Sequence, residues 1–166
     1  MASSDTLAVF MPQMNEPPTA SFATPDERVD NNGRIHPVLD FDAAADEFAQ
    51  FSSVMPQNYT AAAAISVIVE WACTSAISGT VTWTAQVERG NTDMDTDSFA
   101  AAQTADGTAN GTSGVTTFTT ISLTNAQADS IAKGERFRLL VSRNQDSGTD
   151  DIASDVELRS VEIREA

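Results

Sequence analysis

The sequence is short of the residues on which most catalytic and metal sites are built. It contains one histidine, His36, and one cysteine, Cys73. A lone imidazole excludes metal centres made from several histidines, and a lone thiol excludes an intrachain disulfide. No Gly-x-Ser-x-Gly elbow or paired-histidine motif occurs, and His36 sits between an irregular leader and Pro37 with no nucleophile at a recognisable spacing. A catalytic role is therefore not expected. Positive charge is scarce as well: nine Lys and Arg face 24 Asp and Glu, for a net charge of -15, and Lys133 is the one lysine among the nine. Nucleic-acid binding depends on neutralising phosphates, so a chain this acidic is not expected to bind DNA, RNA or an anionic leaflet. Long apolar runs are missing too. The most apolar segment, residues 61–73, is interrupted by Glu70 and falls short of the roughly 20 residues a membrane-spanning helix needs. The first residues show no basic stretch followed by an apolar one, so no secretory signal is expected, and synthesis in the cytoplasm is.

What is present reads as β-structure. The 166 residues are 41% hydrophobic and 20% charged, a balance that suits one folded domain able to remove about 70% of its unfolded surface from water. Ile65, Val67, Val69, Trp71 and Cys73 occupy every second position, and Val81, Trp83, Ala85 and Val87 do the same after Ser78-Gly79. Period-two alternation is the mark of a half-buried strand. The two runs are expected to form a long hairpin with one tryptophan per strand in the core, Cys73 among them, and polar Thr82, Thr84 and Glu88 on a wetter face. Further strands are expected around residues 36–41, around Phe48 and Phe51, over 115–123 and over 135–143. In the last strand Val156 and Leu158 alternate in one phase and Val161 and Ile163 in the other, which places a bulge near Arg159 or Ser160. Residues 124–133 read as one short helix that Asn125 caps and Gly134 ends.

Residues 1–35 carry one short strand signal, over 7–11, followed by Pro12, Pro17, Pro18 and Pro25. Proline at this density favours extended backbone without partners of its own. The expectation is an extended N-terminal arm, residues 1–35, and a sandwich domain, residues 36–166. The expected fold is an all-β jelly-roll or Greek-key sandwich of about eight strands.

Two local patterns bear on binding. Asp93, Asp95 and Asp97 alternate on a long polar loop, 90–114, and alternating carboxylates can converge on calcium. The EF-hand pattern breaks, however, because Ser98 stands where glycine is needed and Thr104 where a bidentate glutamate is needed. A solvated acidic loop is the plainer reading, and the same holds for Asp146, Asp150 and Asp151. No cofactor is expected. Phe99 and Tyr59 are the aromatic residues open to a surface role.

The opening MASSDTLAVFMPQMNEPP, the segment HPVLDFDAAADEFAQFSSVMPQNY, the pair of alternating runs and the closing KGERFRLLVSRN with DVELRSVEIRE resemble a family of small virion proteins of tailed bacteriophages. The resemblance implies a jelly-roll protein, often a homotrimer, that clamps the outer surface of the head as a cement or decoration protein, with the major capsid protein and copies of itself as partners. The same setting admits a tail-fibre or baseplate module that binds a receptor or carbohydrate. For a shell-binding arm, Leu7, Val9 and Phe10 are the expected contact residues, since they are apolar and precede a segment with no core.

Overall fold

The computed structural model describes residues 5–75, 77–90 and 93–166; residues 1–4 of the expected arm and 91–92 of the expected loop lie outside them. Ten strands build it: β1 (Thr6–Phe10), β2 (Thr24–Val29), β3 (Ile35–Phe41), β4 (Glu47–Val54), β5 (Ile65–Cys73), β6 (Thr80–Arg89), β7 (Gln103–Thr108), β8 (Thr117–Leu123), β9 (Arg136–Arg143) and β10 (Val156–Glu165). One sheet runs β2-β3-β10-β5-β8 with β1 also on β10, and the other runs β4-β9-β6-β7. Every pairing between two of these strands is antiparallel. From β3 onward the chain passes back and forth between the sheets, so that β3-β10-β5-β8 face β4-β9-β6-β7. This is the double Greek key of a jelly roll.

The core follows from the alternation. Inward positions of β5, β6, β9 and β10 are fully buried, and Trp71 of β5 meets Trp83 of β6 across the sheets at 6.1 Å between ring centroids. Phe41 adds an edge-on contact to Trp83 at 5.0 Å, a geometry that aromatic quadrupoles favour. The Trp71 indole N–H donates to Thr119 Oγ1 at 2.9 Å. Cys73 is buried and free, as a small core residue. The bulge in β10 falls where the phase change places it, between Leu158 and Ser160.

Three expectations are corrected. Trp71 and Trp83 lie on facing sheets, so β5 and β6 do not form a hairpin; alternation identifies a buried face but does not name the strand's partner. The segment 124–133 is a series of turns, not a helix. Asp129 and Ser130 take left-handed φ values of 56° and 53°, and the Asn125 amide donates to the Ile131 carbonyl at 3.1 Å and to Tyr59 Oη at 3.2 Å. Asn and Asp side chains that bond nearby backbone compete with helix in this way. Among the described residues the only helical turn is a 3₁₀ turn at Pro12–Met14.

The N-terminal arm is the third. Its described residues are part of the sandwich: β1 pairs with residues 161–164 of β10, and β2 pairs with residues 35–40 of β3. Between them the chain seals the edge of β4, where Glu16 N donates to Gln50 O and Ala23 N to Phe48 O. Pro25 is tolerated because β2 is an edge strand, with one row of N–H groups facing outward.

Candidate functional site

The residues singled out in the sequence do not assemble into one site. Leu7 and Phe10 are core residues, 7% and 1% exposed, with Phe10 stacked on Phe51 at 5.1 Å; as interface candidates they are withdrawn, while Val9 remains on the surface at 48%. Apolar residues after an unstructured start look alike in sequence whether they wait for a partner or pair with the last strand. Asp93 and Asp95 lie on an exposed turn in which Asp93 receives the backbone N–H groups of Asp95 and Thr96. Among the described residues no group of three His, Cys, Asp or Glu is gathered that could hold a metal ion. Tyr59 is buried, its hydroxyl donating to the Ala63 carbonyl. Asp150 and Asp151 serve the fold, the first against Arg143 and the second against Thr80 N at 2.6 Å. His36 is half exposed and lies 3.5 Å from Asp30.

The site lies instead on the outer face of the four-stranded sheet. Strand alternation sends Phe137, Leu139 and Val141 of β9 inward, and so sends Arg136, Arg138, Leu140 and Ser142 outward. Cross-strand register then builds successive rows. Ser142 lies between Phe48 and Thr84, Leu140 between Gln50 and Gln86, and Arg138 between Ser52 and Glu88. Hydroxyls, amides and one ion pair thus alternate across the floor. At one end Thr82 meets Asp106 at 2.7 Å and Thr149 at 2.9 Å. The opposite end holds a cavity of about 390 Å³ between the sheet and the loop after β6, lined by Ser52, Glu88, Met94, Asp97, Arg136 and Arg138.

Glu88 is the fixed point of this cavity. Its side chain is 3% exposed although it is charged, and burial of a carboxylate demands a partner. Arg138 supplies one: its Nε donates to Glu88 Oε1 at 2.9 Å and its Nη2 to Oε2 at 2.7 Å. This two-pronged geometry orients the guanidinium. Phe99 holds the guanidinium from the loop side, with Arg138 Cζ 5.4 Å from the ring centre, a cation–π contact. The loop is tied back to the sheet by Ala100 N to Val87 O at 2.9 Å and by the Gln86 amide to Ala100 O at 2.9 Å. Arg138 is left with its Nη1 edge without a hydrogen bond to the described residues, on a side chain 42% exposed.

Sequence reasoning placed Thr82, Thr84 and Glu88 on a wet face, whereas all three are buried there. The signal that marks the site is the Arg136-x-Arg138 spacing on a strand, which puts both guanidinium groups on one face.

A second cleft, between Pro12, Pro25 and Pro37, offers Asp26 and Glu27 and no cation. No protein-family model and no curated protein sequence matches the chain. Similar solved structures include a carbohydrate-binding module of family 6 from a Zobellia galactanivorans laminarinase, 10% identical, TM-score 0.48, covering 97% of this chain and all of that one. A xylan-binding domain of Paenibacillus barcinonensis is 13% identical, with TM-score 0.48, and the match covers 99% of this chain and 97% of that one. A family 36 module of a xylanase from the hindgut metagenome of Trinervitermes trinervoides is 10% identical at TM-score 0.42, over 96% of this chain and 97% of that one. These likenesses concern the two-sheet backbone; at such values they assign no ligand to this chain.

Proposed function

We propose that this chain is a carbohydrate-binding module that holds an oligosaccharide at the Arg138 end of the outer face of the four-stranded sheet, with one sugar seated in the cavity beside Arg138. The observation that carries the reading is the oriented Glu88–Arg138 pair. A sugar offers adjacent hydroxyls that a planar guanidinium or carboxylate can bridge with two hydrogen bonds, and an apolar ring face that suits a thioether or an aromatic edge. The cavity supplies each: the open edge of Arg138, and Met94, which is 86% exposed. Beyond the cavity the half-buried Gln50 and Gln86 flank Leu140 on the same face. Pre-ordered polar groups lose little freedom on binding, which favours affinity.

The test is titration calorimetry against an oligosaccharide panel, with Arg138→Gln and Glu88→Gln compared with the parent and folding checked by circular dichroism. Each variant is expected to lose tenfold or more in affinity, about 1.4 kcal/mol. Unchanged affinity in both removes the cavity as the site.

The second reading, a cement or decoration protein on a phage head, keeps one observation of its own. Val9, Met11, Met14 and Phe22 lie along the N-terminal segment at 45–48% exposure, a concentration of surface apolar residues that suits a shell partner. Jelly rolls serve in lectins and in capsids alike, so the fold does not choose. The mark of this reading is a copy number in purified particles close to that of the shell subunit.

A further inference from the structure

We infer that the ligand of the cavity is an acidic glycan, whose carboxylate or sulfate sits between Arg136 and Arg138; this inference rests on the glycan reading above and adds the charge of the ligand to it. The argument begins with how the protein uses its few cations. Of the nine Lys and Arg in a chain of net charge -15, six pair with a carboxylate among the described residues, and Arg34, Lys133 and Arg136 do not. Of these three, Arg136 lines the cavity. An arginine with no carboxylate partner is the exception in a molecule with so many acids to offer, and this one stands where a ligand would.

Its neighbour on the same face is Arg138, two residues along β9 and so about 6.6 Å away at the backbone. Glu88 occupies the Nε and Nη2 side of Arg138 and cancels its charge, but leaves Nη1 open. Across β4, Arg136 and Arg138 lie opposite Val54 and Ser52; the Glu16 carboxylate on that side accepts the Ser52 hydroxyl at 2.6 Å and forms no ion pair with either arginine. Asp97, from the loop, is the one other carboxylate lining the cavity among the described residues. Two guanidinium groups at this spacing can hold one anion with charge-assisted hydrogen bonds of about 2.7–2.9 Å. A neutral sugar would leave the Arg136 charge without a counterpart, and a site built for a polar group discriminates strongly against a ligand that lacks it.

The experiment uses the full chain and three sets of oligosaccharides with matched backbones: neutral, uronate-bearing and sulfate-bearing. One acidic set is expected to bind at least tenfold tighter than the neutral set, and which one it is separates carboxylate from sulfate. Arg136→Gln is expected to abolish that preference, whereas Arg34→Gln, which changes the net charge equally from the β2–β3 turn, keeps it. Equal binding of neutral and acidic chains overturns the inference and leaves the glycan reading standing. Loss of the preference in Arg34→Gln as well also overturns it, by making the effect one of overall charge. No binding by any set overturns both.

Discussion

Asp40 shows how one side chain can set the response of this protein to pH. It lies on the outer face of β3, opposite Glu157 of β10, with Asp26 and Asp155 close by, and its Oδ1 is buried without a hydrogen-bond donor. Burial first, and the Asp26 carboxylate next, push its pKa up from 3.8 to about 7. The native state therefore binds a proton that the unfolded chain releases near pH 4. Stability from this group is complete below pH 4 and is lost as pH rises through about 7. Asp30, Glu162 and Glu165 act in the opposite sense: hydrogen bonds to their carboxylates lower their pKa values, so their contribution is lost on acidification. The wild-type urea midpoint is accordingly expected to peak at roughly pH 5–6 and to decline towards pH 8.5. Asp40→Asn, which can donate to Asp26 at any pH, is expected to remove the alkaline decline and to raise the midpoint at pH 8. Parallel pH profiles for the two proteins would contradict this account of the carboxylate cluster.

The loop after β9 is an element held by one buried pair. Arg143, the last residue of β9, is fully buried and meets Asp150, 2% exposed, with bonds of 2.7 and 3.0 Å. The same guanidinium donates to the carbonyls of Ile152 and Ser154, and Asp150 also receives Thr82 N at 3.1 Å. One arginine thus fastens the whole return from β9 to β10. Arg143→Met leaves Asp150 as a buried charge without its partner and is expected to cost about 3–5 kcal/mol. Adding Asp150→Leu removes that charge and should recover much of the loss, and amide exchange over residues 144–155 should speed up in the single variant. A single variant within 1 kcal/mol of the parent would show the loop to be held by its backbone alone. Such elements also show the reach of the sequence. Alternation marks β5, β6, β9 and β10 and even the bulge at Arg159, because a buried face must repeat every second residue. It does not reveal β7, whose residues QTADGT are polar or small. Gly107 is there because a Cβ would come within 2.0 Å of Thr119 Oγ1 and 3.0 Å of Trp71. The candidate site was hidden for a related reason. Glu88 and Arg138 are 50 residues apart, and only the β6–β9 register joins them.

At the scale of the whole molecule, the N-terminal segment closes the sandwich. β1 completes the edge of β10, residues 15–23 cover the edge of β4, and Phe10 enters the core against Phe51 and Phe137. Removing Leu7 and Phe10 costs on the order of 2–5 kcal/mol each by the usual scale of large core truncations. A domain of this size has only about 5–15 kcal/mol in total. A chain lacking residues 1–20 is therefore expected to lose its cooperative thermal transition and to bind a hydrophobic dye, with the bared edges of β4 and β10 open to intermolecular pairing. Retention of a sharp transition within a few degrees of the full chain would mean that the nine strands β2–β10 suffice as a fold. The expected outcome also decides how the shell-binding reading can be tested. Because truncation unfolds the sandwich, loss of particle binding by the short chain would say nothing about an arm. Substitutions confined to the exposed Val9, Met11 and Met14, which leave Leu7 and Phe10 in the core, separate docking from folding.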